Sequence, residues 1–365
     1  MSVECGIVGL PNVGKSTLFN TLTSAQVPAE NFPFCTVDPH RGVVPVPDPR
    51  MESISEIVKP EKKVPTAMTF VDIAGLVKGA SAGEGLGNQF LSHIREVHAI
   101  AHVVRCFEDD NIIHVMGSVD PKRDIEIIEL ELCLSDLDAA KKRADRIERL
   151  AKSGNAEAKA EFDVLSKIME NLGKGIPLRR HKELLKGLTE DRFLTSKPLV
   201  FVVNLSESEI RSPSERTRGW ISEVEKIAAL DSATVIPMSI GLEQQLGTLS
   251  EEDRKPFYEE YGISEPALHR FIREAYGLLG LMTYFTAGVK EVRAWTLKRG
   301  SSAVEAAGTI HSDFARGFIR AEVIAYADYI ACKGEKGAKE KGLQRAEGRD
   351  YIVQDGDVIY FRFNV

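Results

Sequence analysis

Residues 5–22 read Cys-Gly-Ile-Val-Gly-Leu-Pro-Asn-Val-Gly-Lys-Ser-Thr-Leu-Phe-Asn-Thr-Leu, and within them Gly9 to Ser16 complete the pattern G-x-x-x-x-G-K-[ST]. The four residues before the pattern, Cys5 to Val8, suit a short buried strand, and Thr17 to Leu22 open a helix. Strand, glycine loop and helix are the setting in which this pattern has a mechanism. The glycines let backbone N–H groups close around phosphate oxygens, the lysine reaches the β- and γ-phosphates, and the following hydroxyl ligates Mg²⁺. Asn12, Val13, Gly14, Lys15, Ser16 and Thr17 are therefore candidate nucleotide-binding residues. Lys15 also stabilises charge in phosphoryl transfer, and Ser16 is a metal ligand. The expected ligand is a nucleoside triphosphate with Mg²⁺.

Apolar runs at Thr69–Ile73, Ile100–Phe107, Leu199–Val203 and Thr234–Met238 read as further buried strands, several of them separated by helical patterns. That alternation predicts an α/β sheet with its ligand at the strand ends. The stretch between Phe107 and Leu199 is far longer than one crossover requires. Asp120-Pro121 supplies a helix N-cap and a proline at the first helical position. Leu130, Cys133, Leu137, Ala140, Ala144, Ile147 and Ala151 then recur at steps of three and four. Ser153-Gly154-Asn155 interrupts the seam, and Ala158, Phe162, Leu165, Met169 and Leu172 resume it. Two seams about a turn predict an antiparallel helical hairpin.

Past Tyr276 the period shortens. Val289–Thr296 and Val358–Phe363 alternate like strands, and Ala303–Phe314 suits a short helix. Lys333–Gly342 reads by composition as an exposed, mobile loop. The expected division is a nucleotide-binding domain over 1–120 and 198–280, a helical insertion over 121–197, and a small α+β domain over 281–365.

The remainder of the nucleotide site lies at strand ends. Asp72-Ile73-Ala74-Gly75 fits D-x-x-G, in which the Asp supports Mg²⁺ and the Gly N–H senses the γ-phosphate. Thr36, in Asn31-Phe32-Pro33-Phe34-Cys35-Thr36, is expected to complete the metal shell. Gly75 to Gly87, with five glycines, is expected to order and disorder with the γ-phosphate. Guanine-specific sites use N-K-x-D, whereas the matching strand end here is Asn204-Leu205-Ser206-Glu207. The flanking Lys is missing and the carboxylate sits one methylene further out, which misplaces the acceptor that guanine requires. Adenine, with its amino group met by backbone near Leu205, is the expected base. Asn204, Leu205, Glu207 and Ser239 are the candidate base-pocket residues. Leu76 occupies the position of the Gln that orients water in Ras-type enzymes, so another group must do this. Spacing does not choose among the eight histidines, although His114 follows a strand on the ligand edge.

Composition sets the frame. The 365 residues are 43% hydrophobic and 28% charged, with a net charge of −7. No apolar run approaches a membrane span, and no basic-then-apolar leader precedes the first strand. Five scattered cysteines without a C-x-x-C pair suit reduced cytosolic thiols. Residues 281–365 hold 13 Lys/Arg against 11 Asp/Glu, a net of +2 that leaves −9 on residues 1–280. That tilt is compatible with an RNA or ribosome contact through the tail, or with an ordinary solvated surface.

Taken in order, Gly9–Asn20, Asn31–Thr36, Phe70–Val77, Gly83–Asn88, Tyr284–Trp295 and Asp350–Val358 resemble the YchF family, also called Obg-like ATPases, of the translation-factor class of P-loop proteins. The resemblance spans essentially the whole chain. It implies a Ras-like nucleotide-binding domain, a coiled-coil insertion and a C-terminal TGS domain of ubiquitin-like β-grasp shape. It also implies ATP preferred to GTP, slow hydrolysis, ribosome association and a cytoplasmic site of action. The family's hydrophobic replacement of the catalytic Gln matches Leu76, and its water-positioning histidine falls on His114. Asn12 matches a residue that recruits K⁺ in some relatives. Two other functions compete: a guanine-selective translation GTPase, and an RNA- or ribosome-binding module that nucleotide merely gates.

Overall fold

The computed structural model describes residues 3–24, 40–73, 86–186, 188, 193–263 and 265–364. One six-stranded sheet has the spatial order Arg41–Pro45, Ala67–Asp72, Glu4–Val8, Ala99–Arg105, Leu199–Asn204 and Thr234–Met238. The four pairings from Ala67–Asp72 across to Thr234–Met238 are parallel. Three central strands, Glu4–Val8, Ala99–Arg105 and Leu199–Asn204, are buried along their whole lengths. That explains their near-continuous apolar sequence, because helices cover both faces of a parallel sheet. Parallel strands also deliver their carboxyl ends to one edge. Val8, Asp72, Arg105, Asn204 and Met238 all finish there, and the loops that follow form the site.

Every strand expected in this sheet is present, with ends shifted by at most two residues. Among the described residues the long gap holds two long helices, Pro121–Lys152 and Ala156–Gly173. Asp120 caps the first by accepting the Arg123 N–H, with Pro121 in the first turn, and Asn155 caps the second by accepting from Ala158. Gly154 makes the turn at φ +93°, where a side chain would be strained. Cys133, Ala140, Ala144, Leu165, Ile168 and Leu172 form the buried seam. Leu130, expected to begin that seam, is instead 48% exposed. Upstream of Cys133 the long helix buries another side, through Ile125, Ile128 and Leu132. It packs there against the Glu215–Asp231 helix and the central sheet, so its inward face rotates along its length. Asp136 reinforces the root by accepting the Leu194 and Thr195 N–H groups and the Thr195 hydroxyl. Nearby, Arg179 and Arg180 each pair with both Glu129 and Asp231. Burial pushes the Glu129 carboxyl up to about 7 against the pull of Arg179.

The second sheet runs Arg345–Glu347, Phe318–Ile324, Val358–Phe363, Leu281–Ala287, Glu291–Lys298 and Lys62–Val64. Its two faces bury separate clusters. Met51, Ile54, Phe285, Val292, Tyr329 and Val358 fill one; Met282, Tyr284, Leu297, Ala306, Phe318 and Ile359 fill the other. Contacts divide the chain into two compact units, and Val43–Met68 groups with the C-terminal residues, not with the first sheet's unit. The reason is that Met51 and Ile54 bury their side chains in the C-terminal core, which no local pattern announces.

Two local expectations change. Ala303–Phe314 holds two helices, Ala303–Ile310 and Ser312–Arg316, the first closed by a Ser302/Glu305 capping box. Lys333–Gly342 is not a loop: Glu335–Glu340 is helical and Ala338 is fully buried. Ala338 packs into the C-terminal core and its carbonyl accepts the Leu343 N–H, tertiary contacts that composition does not reveal.

Candidate functional site

The loop after the first strand is shaped by its glycines and by one asparagine across the sheet. Gly14 has φ +105°, and a Cβ there would lie 2.6 Å from Asn204 Nδ2. Asn204, 5% exposed, donates from Nδ2 to the Val13 carbonyl (2.9 Å) and accepts the Ile240 N–H at Oδ1 (3.2 Å). One side chain thus fastens the loop to the start of the Ile240–Gly247 helix. Asn12 adopts φ +61° and donates to the Ile113 carbonyl at 3.1 Å.

Lys15 opens the Lys15–Ser24 helix, whose amino-terminal N–H groups and dipole favour an anion. Its Nζ donates to the Leu10 carbonyl at 2.7 Å, bridging the loop from within. Burial pulls the ammonium down to about 8, with the Asp72 carboxylate opposing. Ser16 is exposed beside it and Thr17 half-buried. Asp72 ends its strand next to Ile7, and its Oδ1 is buried without a hydrogen-bond partner. A carboxylate oxygen withdrawn from water and left unpaired is costly. A hydrated divalent cation would satisfy it, so Asp72 and the Ser16 hydroxyl fit Mg²⁺. Among the described residues no cluster of three or more His, Cys, Asp or Glu could hold a metal unaided. Thr36, Gly75 and most of the Gly75–Gly87 segment, Leu76 included, lie outside the described residues.

Beside the loop opens a cleft of about 450 Å³, within the range of small-ligand sites. It is lined by Asn12, Val13, Gly14, Thr17, Asn204, Leu205, Glu207 and Ser239, all expected, together with Phe107, Ile112, Leu242 and Gln245. Leu205 donates its N–H to the Met238 carbonyl at 2.9 Å and is buried. Glu207 is exposed in the first turn of a short helix. Ser239 caps the Ile240–Gly247 helix, accepting from the Leu242 N–H.

Sequence reasoning missed Arg105. Only 1% exposed, it donates to the carbonyls of Phe107 (3.0 Å), Ile112 (2.9 Å) and Asp109 (3.3 Å) and lies 4.7 Å over the Phe107 ring. Burial holds its pKa below the ordinary value. The guanidinium thereby braces one wall of the cleft. The available signal was a lone cation ending an apolar strand.

His114 sits in that wall's continuation and is buried, while Ile113 and Val115 point outward. Its Nε2 lies 2.8 Å from Asp124 Oδ2, and its Nδ1 accepts the Met116 N–H at 3.2 Å. The structure therefore brings His114 next to the phosphate loop through Ile113, with both ring nitrogens engaged.

A parallel sheet whose first strand runs into a glycine loop, a buried lysine and a helix N-terminus defines a P-loop nucleotide-binding protein. The family model "50S ribosome-binding GTPase" (MMR_HSR1) matches residues 4–132. The model YchF-GTPase_C, described as "Protein of unknown function (DUF933)", matches residues 281–364. Proteins called "Ribosome-binding ATPase YchF" from Haemophilus influenzae and Bacillus subtilis are each 53% identical over 368 residues, covering 100% of both chains. That of Escherichia coli O157:H7 is 54% identical over the same length and coverage. The solved structure of the Schizosaccharomyces pombe YchF GTPase superposes with a TM-score of 0.86 at 36% identity, covering 99% of this chain and 98% of that one. The chain belongs to the YchF family.

Proposed function

We propose that this chain is a Mg²⁺-dependent ATPase that prefers ATP to GTP, hydrolyses it slowly to ADP and phosphate, and uses the cycle to regulate a ribosome-linked process, translation or a stress response, in the cytoplasm. The observation that carries the reading is a buried Lys15 ammonium, within electrostatic reach of an Asp72 carboxylate whose Oδ1 has no hydrogen-bond partner, in a loop fastened by Asn204. Lys15 and the loop amides hold the phosphates. Ser16 and Thr36 hold the metal with Asp72 behind them, and the bound ion neutralises charge on the β- and γ-phosphates. Gly75 reports the γ-phosphate. Asn204, Leu205, Glu207 and Ser239 shape an adenine pocket, and His114 handles the attacking water. A second cation, K⁺, at Asn12 is part of the proposal.

The bacterial relatives are called ATPases and the yeast protein a GTPase. Base choice at the Asn204–Glu207 strand end is therefore the point to test. Competition of ATP and GTP for a fluorescent nucleotide, with Mg²⁺ and with chelator, should favour ATP at least tenfold and require Mg²⁺; a GTP preference would make this a guanine-selective enzyme. The ribosome, through its large subunit or as a whole, and its RNA are the proposed partners. The matches to ribosome-binding relatives support this. Co-sedimentation with and without ATP, with and without residues 281–365, tests it. We assign nucleotide binding to 1–120 and 198–280, the coiled-coil arm to 121–197, and a TGS-type domain to 281–365, whose core also takes in Met51 and Ile54 from the first segment. Among the described residues no helix is long and apolar enough to cross a membrane.

A further inference from the structure

We infer that Asp124 is a positioning residue for hydrolysis: it holds His114 in the tautomer that leaves Nδ1 as the basic nitrogen. The inference rests on the proposed role of His114 with the attacking water. Met116 N is a backbone donor, so the Nδ1 that accepts from it at 3.2 Å carries a lone pair and no proton. The ring proton then sits on Nε2, which donates to Asp124 Oδ2 at 2.8 Å. Both side chains are nearly inaccessible, at 5% and 4%. In such surroundings a carboxylate–imidazole bond governs ring orientation and supports the imidazolium once formed. Asp124 is itself held. Its Oδ1 accepts from Arg123 Nε and a terminal Arg123 nitrogen at 3.3 and 3.1 Å, and it lies in the first turn of the Pro121–Lys152 helix, an anion-favouring place.

The sequence of events follows from the tautomer. For Nδ1 to act as the base, the attacking water must take the place that the Met116 N–H holds in this structure. As the water oxygen bonds to the γ-phosphorus, the bond from that phosphorus to the β,γ-bridging oxygen breaks and its electron pair stays on ADP. The proton from water passes to Nδ1, giving an imidazolium opposite the Asp124 carboxylate, and leaves with phosphate or to solvent. Because Ile113 bonds Asn12 and His114 bonds Asp124, the phosphate loop and the root of the helical hairpin meet at this dyad.

The test uses the full-length protein. In 15N-detected NMR of selectively labelled wild type, the ring proton of His114 should sit on Nε2, with Nδ1 unprotonated. An Nδ1–H or doubly protonated ring overturns the inference without any variant. Asp124→Asn should switch the ring toward the Nδ1–H tautomer and lower kcat at least tenfold, leaving ATP affinity within twofold. The double variant with His114→Ala should be no slower than His114→Ala alone. If His114→Ala keeps full turnover, the catalytic reading of His114 fails and this inference with it. If His114→Ala is slow and Asp124→Asn is not, or if the two losses multiply, only the role of Asp124 fails.

Discussion

Gly14 and Asn204, 190 positions apart in the chain, are packed so closely that a methyl group on Gly14 would lie 2.6 Å from the Asn204 amide nitrogen. The contact lets that amide reach the Val13 carbonyl and makes Asn204 part of the phosphate loop's support, in addition to any role beside the base. Removing it strands the Val13 carbonyl and the Ile240 N–H in a buried place. Each such loss costs ~1–3 kcal/mol. Counting one of these losses against the nucleotide-binding form, Asn204→Ala should weaken ATP and GTP binding alike, by roughly 5- to 150-fold, in fluorescence titration. A change in base preference alone would contradict the fastening role.

Lys15 makes binding pH-dependent. Burial lowers its ammonium to about 8 in the nucleotide-free protein, and a bound triphosphate favours the charged form. Mg-ATP affinity should fall as pH rises beyond about 8, and binding near pH 8.5 should take up protons. Calorimetry in two buffers of different ionisation enthalpy measures the uptake, which Lys15→Ala should remove. The sign for stability is opposite. Between about 8 and the ordinary 10.5 the unfolded chain binds more protons at this residue, so its contribution favours folding increasingly as pH rises through that window.

Arg105 offers a different handle, because it bonds carbonyls of the cleft wall without itself lining the cleft. Arg105→Met retains much of the apolar volume but frees the carbonyls of Phe107, Asp109 and Ile112. Amide exchange across 107–112 should accelerate, and nucleotide affinity should drop roughly tenfold, the equivalent of about 1.4 kcal/mol. Unchanged exchange would show that the loop holds without the guanidinium.

The helical hairpin separates the sequence seam from the real one. Leu165 is fully buried and Leu130 is 48% exposed. Leu165→Ala should cost ~2–5 kcal/mol in urea unfolding, whereas Leu130→Ala should stay within about 0.5 kcal/mol. Comparable losses at both sites would restore the uninterrupted three-and-four spacing as the guide to packing.

The amino-acid sequence by itself determined the phosphate loop, the five strands that run parallel around it, the helical hairpin and two of the C-terminal strands, Glu291–Lys298 and Val358–Phe363. Each depends on residues a few positions apart, where period, capping and glycine act directly on the backbone. Asp120 and Pro121 are clear cases, since a cap and the helix it opens are neighbours in the chain. Tertiary structure alone decided that Asn204 fastens Val13, that Arg105 braces 107–112, that Asp72 keeps an oxygen unpaired, and that the His114 ring turns to Asp124. It also placed Val43–Met68 with the C-terminal core and buried Ala338 within a lysine-rich stretch. Those outcomes depend on which groups meet through space and lose water together, and no local spacing encodes such a meeting.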